Sequence, residues 1–585
     1  MNITRRLAVF GIVLSLLGSR AARAEWDVDG LEELLPHAPS ALDTLRFLAR
    51  EGPPVPRELL ADPPPAAPIR NCAEWEPMTG ALIRYPLGLP YALLRDLDDV
   101  VILHVVVASN QLATAKSSFV ANGVDTTKVQ WLVEPNNSIW TRDYGPWFVF
   151  DGNGDEVIVD HVYNRPQRPD DDLIPVYFGA QQGIPVVRHD MWHTGGNYMT
   201  DGAHWSMSTD LVYDEAHSAN GMTPEEVDQL MEDYYGVTTY DVVDDISASG
   251  IHHIDTWGKF LDEETIVIKQ VWPAQPTYAA LEQRATLIAS LPASTGRSYR
   301  VFRVYCHDIG GGNPASYTNS LILNDRVCVP MFSSASNDTA ALAVYRTAMP
   351  GYDVKGYAYG GWLTDDALHC RVMGVADRSM LRVAHVPVRE TQTAPVPITA
   401  FVDDRSEAGV ASVELHYRFA GESWQTVAMA PAGGDDYAAA IPSPLAATTV
   451  DYYVIASDLS GRQEGMPRSA PAGFYTFPIE ASPTSVAVRP GEAPDGLAAL
   501  VGPNPFRSET RFSFELRYPE RVILSVHDVT GRLVRRLADG EQGAGRSEFV
   551  WDGRDDGGRR VADGVYFFRL RAAGIAYSRP VVLRR

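Results

Sequence analysis

Cys370 lies in WLTDDALHCRVMGVAD, directly after His369 and shortly after Asp365 and Asp366. A thiol acts as a nucleophile only as its thiolate, and a free cysteine titrates near about 8.5, so a reactive sulfur here needs help from its surroundings. Three other segments gather polar residues of complementary types. NNSIWTRDYGPW sets Trp140, Arg142 and Asp143 before a Gly-Pro turn. The ring suits an apolar chain or a planar cation and Asp143 suits a cation, although a buried Trp beside a surface Arg–Asp pair explains the segment equally. In GIHHIDTWGKFL, strand alternation predicts His253 and Asp255 on one face and His252 and Ile254 on the other. A histidine and a carboxylate on one face can move a proton and hold a cation. A structural His–Asp pair or two metal ligands are the alternatives, and no H-E-x-x-H pattern supports the metal. GGGNPASYTNSLIL places Asn319 after glycines, where its amide could orient an amide or a guanidinium, and the similar HTGGNYMTDG begins at His193. Neither ends in G-K-[ST], so neither is a P-loop, and tight turns account for the glycines as well. One reaction gives every polar type a task. Paired carboxylates hold a guanidinium, a thiolate attacks its carbon, and a histidine protonates the departing ammonia.

These residues need a scaffold. From about 71 to 388, apolar runs such as ALIRYP, VVILHVVV, KVQWLVE, WFVFDG, TIVIKQVW and SLILNDRVCVPMF predict strands. They alternate with helices in TPEEVDQLMEDYYG, with Thr223 as N-cap and Gly236 as stop, and in YAALEQRATLIASL. Alternation of this kind implies an α/β domain. From 389 to 480 the texture changes to short alternating strands between Gly, Pro and Asp turns (ASVELHYRFAG, DYYVIASDLSG, GFYTFPIE), the pattern of a β-sandwich. A linker, 481–498, leads to a last block of β texture, 499–585. The two β domains hold no catalytic cluster and read as spacer and attachment modules. A chain of 585 residues is long enough for such a division. The net charge of −24 argues against a nucleic-acid partner, which calls for a basic face.

Residues 1–24 carry Arg5 and Arg6, an apolar run from Leu7 to Leu17 and a final A-R-A, the layout of a secretory signal peptide whose apolar run is too short to span a bilayer. Residues 25–70 read as a Pro-rich arm. Export predicts an oxidising compartment, in which Cys72, Cys306, Cys328 and Cys370 could form two disulfides. Cys72 and Cys306 are the candidate pair, Cys328 reads as a buried strand residue, and a nucleophilic Cys370 has to stay free. No C-x-x-C spacing occurs, which argues against a zinc knuckle.

NCAEWEPMTGALIRYP, WTRDYGP, HTGGNYMTDG, I-x-H-x-D, SYTNSLILN and DALHC, in that order, resemble the bacterial peptidylarginine deiminase family, which is related to agmatine deiminases. The resemblance covers roughly residues 70–385. It implies a pentein fold, a pseudo-fivefold α/β propeller with its site at the centre, which periodicity alone does not give. It also implies roles: Cys370 as nucleophile, His253 as proton donor and then as base for water, Asp143 and Asp255 as clamps on the guanidinium, and Asn319 as a positioning group. Trp140 would pack on the substrate side chain, with Ile251, which opens I-x-H-x-D, also on the substrate side. No metal and no cofactor is implied. YNRPQRPDDD resembles a loop whose two arginines, spaced R-P-R, grip the carboxylate of a C-terminal arginine. Arg165 matches the first, whereas the second stands at Arg168 and Gln167 takes its place; Gly250 replaces the family's tyrosine before I-x-H-x-D. A displaced clamp predicts a relaxed preference for C-terminal arginine. The domain at 389–480 is similar to the immunoglobulin-like domain of secreted members. The last block is similar both to C-terminal sorting domains of type IX secretion cargo and to the immunoglobulin-like domain of flagellar hook-capping proteins.

The expectation is therefore an exported enzyme, secreted or held at the outer cell surface, that converts arginine in peptides or proteins to citrulline. Its partners would be those substrates and, through the last domain, a secretion machinery. Deimination of agmatine or free arginine is the nearest alternative, and transfer of the amidino group to an amine a further one. A non-catalytic surface protein binding arginine-rich partners is the alternative of another class. It would need the carboxylates but not the thiol.

Overall fold

The structure is a computed structural model that describes residues 61–246, 250–393, 395–444, 446–480, 497–516, 519–543, 545–572 and 575–585. The expected signal peptide, the arm up to residue 60 and the linker over 481–496 lie outside the described residues.

Between Arg70 and Ala376 the described chain builds five small sheets on one plan: an antiparallel pair, a helical crossover, and a third strand parallel to the second. The first unit pairs Trp147–Phe150 with Glu156–Tyr163 and, after the helix Ile174–Gln182, adds Val186–His193. The second comprises Met199–Thr200, Trp205–Thr209 and Thr239–Val243, with two helices, Leu211–Asn220 and Pro224–Tyr235, in its crossover. Gly258–Asp262, Thr265–Gln270, the helix Tyr278–Ile288 and Arg300–Tyr305 form the third. Leu321–Leu323, Arg326–Met331, the helix Ala335–Ala348 and Asp353–Ala358 form the fourth. The fifth joins the two ends of the domain. Met373–Ala376 runs antiparallel to Met78–Tyr85, which continues through the helix Tyr91–Leu97 to Ile102–Val107.

The local causes are ordinary. A parallel pair needs a crossover, and a helix supplies it. Strands covered on both faces become near-continuous apolar runs, as in TIVIKQ and ILHVVV. The helix Pro224–Tyr235 is closed at its start by a reciprocal capping box between Thr223 and Glu226, and ends at Gly236 with φ of 70°, as the sequence predicts.

Two expectations are corrected. IHHID is not a strand: His252 has φ of 61° and Ile254–Thr256 is a single helical turn, so strand alternation does not place His253 and Asp255. All four cysteines are free and buried. Cys72 packs in the core built around Leu82 and Phe148 and Cys306 in a separate core around Ile266 and Val327, so the candidate pair is not joined. Cys328 is a buried strand residue, as expected.

Beyond residue 380 the only regular elements among the described residues are β-strands. Strands from Leu381–Ala384 to Tyr475–Glu480 form two sheets around Ile398, Leu415, Tyr452 and Phe477. Those from Leu497–Gly502 to Ile575–Leu583 form two more around Phe512, Leu524, Trp551 and Phe568. No helix among the described residues is long and apolar enough to cross a membrane.

Candidate active site

Each of the five units is entered through a short turn, and those turns carry the polar residues. Thr141–Tyr144 leads into Trp147, Gly195–Asn197 into Met199, Ile254–Thr256 into Gly258, Ser316–Asn319 into Leu321, and His369–Arg371 into Met373. Asp143, Gly196, Asp255, Asn319 and Cys370, far apart in sequence, meet because they occupy equivalent places in repeated units.

Cys370 is fully buried, packed against Ile139 and Trp140. Its Sγ lies 3.4 Å from Asp255 Oδ2 and accepts a hydrogen bond from Asn319 Nδ2 at 3.1 Å. Asn319 Oδ1 in turn accepts from the backbone N–H groups of Ala367 and Cys370, at 3.1 and 3.3 Å. Asn319 therefore fixes the turn that presents the sulfur. His253 Nδ1 is 3.6 Å from Asp143 Oδ1, which also accepts from Gly196 N–H at 3.2 Å. Asn197 ties two turns together, since its Oδ1 accepts from Ile254 N–H at 3.1 Å. The structure thus gathers Cys370, His253, Asp143, Asp255, Asn319 and Trp140 in one buried cluster.

Burial pushes the Cys370 thiol well up, and the carboxylates of Asp255, Asp366 and Asp143 push it further, against the Asn319 hydrogen bond. Burial and these carboxylates together favour the protonated sulfur. A bound cation would reverse the carboxylates' effect.

Arg165 and Arg168 sit on the loop after Glu156–Tyr163, and both are buried. Asp170 and Asp171 anchor that loop to the segment before Trp140. Asp171 accepts from Asn137 N–H at 2.7 Å and from Ser138 Oγ at 2.6 Å, and Asp170 accepts from Asn137 Nδ2 at 2.8 Å. The Arg168 guanidinium consequently lies over the Trp140 ring, 4.4 Å from its centroid. Arg165 faces Glu215 at 3.7 Å. Burial raises the Glu215 carboxyl to about 7 despite Arg165 and Asn164. Ile251 is buried two residues before His253 and takes no part in these polar contacts.

Three participants are not singled out by the sequence reading. Glu74, from NCAEWEPM, reaches His369 Nε2 at 2.9 Å and Lys259 Nζ at 2.6 Å. His369 Nδ1 reaches Asp255 Oδ2 at 2.8 Å. Gly196 lines the cluster by having no side chain. The only sequence signals for these are the position of His369 next to Cys370 and the glycine pair before a strand.

Asp366, one of the two aspartates near Cys370, forms a two-point pair with Arg371 at 2.7 and 3.0 Å, and Arg371 also donates to the carbonyls of Gly88 and Gly361. Its task is to hold the turn. Removing one partner of a buried pair leaves the other charge uncompensated, so Asp366→Ala is expected to destabilise the protein by about 3–5 kcal/mol in denaturant unfolding. A loss below about 1 kcal/mol would refute this assignment. No group of three or more His, Cys, Asp or Glu side chains among the described residues is arranged to hold a metal.

Five ββαβ units with a thiol, two carboxylates, a histidine and an amide at their entry turns define the class: a hydrolase of carbon–nitrogen bonds in guanidine-type groups. The model of the Porphyromonas-type peptidyl-arginine deiminase family matches residues 72–373, and the chain belongs to that family. A second family model, the FlgD Ig-like domain, matches residues 503–574. A protein of Enterococcus faecalis assigned as an agmatine deiminase is 25% identical over 282 residues, covering 40% of this chain and 74% of that one. A Streptomyces coelicolor protein assigned the same way is 26% identical over 229 residues, covering 36% and 67%. Among solved structures, the agmatine deiminase of Enterococcus faecalis has a TM-score of 0.48 at 20% identity and covers 53% of this chain and 96% of that one. A Porphyromonas gingivalis protein assigned as an arginine deiminase has a TM-score of 0.48 at 21% identity, with coverage of 53% and 99%.

Proposed function

We propose that this enzyme hydrolyses the guanidinium of arginine in peptides or proteins to a ureido group, releasing ammonia, with Cys370 as nucleophile. The observation that carries the reading is the convergence of Cys370, Asp143, Asp255 and His253 in one buried cluster. Asp143 and Asp255 hold the guanidinium by charge-assisted hydrogen bonds. The Cys370 thiolate forms a bond to its carbon, and the carbon–nitrogen bond to one terminal nitrogen breaks as His253 gives that nitrogen a proton. Ammonia leaves an amidino-thioether. Water, deprotonated by His253, attacks the same carbon, the carbon–sulfur bond breaks, and citrulline leaves with the thiolate restored. One water is consumed per ammonia released, and no cofactor enters the balance.

Arginines beside the site favour a substrate that carries a carboxylate, which agmatine lacks. Binding would place the substrate's aliphatic chain on the Trp140 face that Arg168 covers and turn Arg168 toward the carboxylate. Agmatine is the second reading, because the curated relatives carry that name. The N-terminal pattern of residues 1–24 and the FlgD Ig-like domain support export, with the last domain serving attachment or passage through a secretion machinery.

The test is citrulline and ammonia release from an internal-arginine peptide, a C-terminal-arginine peptide, free arginine and agmatine. Turnover of the peptides is expected, and turnover of agmatine alone would give the second reading. Binding of arginine-rich peptides without turnover of any of the four would mark a non-catalytic binder. The pH dependence gives a finer check on the clamp. Below about 7 Glu215 is neutral and leaves Arg165 to a substrate carboxylate; above it, ionised Glu215 competes. The ratio of kcat/KM for the C-terminal-arginine peptide to that for agmatine should therefore fall as pH rises through about 7, and Glu215→Gln should flatten it. A ratio independent of pH in the parent would remove Arg165 from the clamp.

A further inference from the structure

We propose that His369 is a positioning residue for this reaction, bridging Asp255 and Glu74 so that Asp255 Oδ1 is held toward the substrate and a positive charge stands beside Cys370. The inference rests on the reading of Cys370 as nucleophile and Asp255 as guanidinium clamp. His369 is buried, with Nδ1 2.8 Å from Asp255 Oδ2 and Nε2 2.9 Å from Glu74 Oε2. Ionised carboxylates only accept hydrogen bonds, so a ring placed between two of them must donate from both nitrogens and carry both protons. Glu74 is held as the anion. Burial alone would push its carboxyl up, but Lys259, His369 and Arg142 outweigh burial and keep it well below the usual range. It is also fixed in place, since Oε2 takes Lys259 Nζ at 2.6 Å and Oε1 accepts from Ile322 N–H at 2.8 Å.

The consequence for Asp255 is directional. Its Oδ2 is engaged by His369 and by the Cys370 thiol, whereas its buried Oδ1 has no hydrogen-bond partner among the described residues. That oxygen is left for a substrate N–H. The charged and titratable groups around the ring are Asp255, Glu74, Lys259, Arg142 and Cys370. Lys259 and Arg142 act on Glu74, Arg371 interacts with the thiol but is paired with Asp366, and His369 is the ring that shares Asp255 Oδ2 with the thiol.

Two variants separate the directional role from the charge. His369→Gln removes both. Glu74→Gln removes the second anion and supplies an amide N–H that can donate to an unprotonated Nε2, so the ring needs only the proton it donates to Asp255, and the charge is lost while the grip on Asp255 stays. Binding is read by calorimetry with the C-terminal-arginine peptide, in full-length protein carrying Cys370→Ala. His369→Gln should weaken the Kd by about tenfold or more, and Glu74→Gln should leave it within about threefold. With Cys370 present, its alkylation by iodoacetamide, followed by peptide mass spectrometry, should slow at least about threefold in both variants, because the thiolate loses a neighbouring cation. A His369→Gln protein that binds as the Cys370→Ala parent does, or a Glu74→Gln protein alkylated at the parental rate, overturns the proposal. If His369→Gln does not fold, the alkylation of Glu74→Gln decides alone. Turnover retained in Cys370→Ala would instead sink the reading beneath it, a result distinct from either of these.

Discussion

Cys370→Ala is expected to lower citrulline release by about 10⁴-fold or more, leaving the binding of arginine peptides in place. The other three thiols are placed differently: Cys328 is a buried strand residue, Cys306 packs in the core around Ile266, and Cys72 shares a cavity with Glu74, Asp255 and His369. The pH dependence of the parent enzyme tests the same sulfur without changing it. In the free enzyme, burial and the carboxylates of Asp255, Asp366 and Asp143 push the thiol above its ordinary range, so the reactive fraction grows as pH rises through that elevated value. Once a guanidinium lies between Asp143 and Asp255, their field at sulfur is largely cancelled and the cation itself favours the thiolate. The rising limb of kcat, which reports the complex, should therefore lie at lower pH than that of kcat/KM, which reports the free enzyme. Coincident limbs would mean that the substrate does not prepare its own nucleophile. Retained turnover in Cys370→Ala would remove the sulfur from the reaction altogether.

Much of the candidate site was legible in the sequence because the residues that the structure brings together are chemically conspicuous. Cys370, His253, Asp143 and Asp255 each stand out by type in a short polar segment, and the reaction they suit follows from their combination. Their geometry was not legible. Strand alternation puts His253 and Asp255 on one face, and the two do join one cluster, but by a different route: a left-handed residue at His252 and a single helical turn aim His253 at Asp143 and Asp255 at Cys370. The capped helix Pro224–Tyr235 could be read to the residue, since its caps are local. The fivefold repetition could not, because the units share a connectivity rather than a sequence period. Their crossovers range from one helix to two, and the fifth unit is assembled from both ends of the domain. Glu74 escaped notice for the same reason. It belongs to the site only because the strand beginning at Met78 pairs with the one that follows Cys370.

Gly196→Ala is expected to cut kcat/KM by about 100-fold or more, though it removes no functional group. The glycine pair of HTGGNYMTDG carries little weight as a sequence signal, since a tight turn would explain it. The structure gives a sharper reason. A Cβ at residue 196 would lie 2.6 Å from His253 Nδ1, 2.7 Å from Asp143 Oδ1 and 3.3 Å from Asp255 Oδ2. These are the proposed proton donor and both proposed guanidinium clamps, all buried on short side chains that cannot swing aside cheaply. The backbone there is not left-handed, so alanine meets no conformational penalty and acts through the site alone. Gly221 is the opposite case. Its φ of 72° ends the helix Leu211–Asn220, and a Cβ there would meet nothing within 4 Å. Gly221→Ala should therefore cost about 1 kcal/mol of stability and leave kcat/KM unchanged. A double-mutant cycle identifies what the methyl group displaces. In a His253→Ala background the shortest of these contacts is gone while that to Asp143 Oδ1 remains, so the penalty should shrink if His253 is what the methyl group displaces. Penalties that simply multiply would show that the methyl acts on Asp143 or Asp255 and leaves His253 where it is.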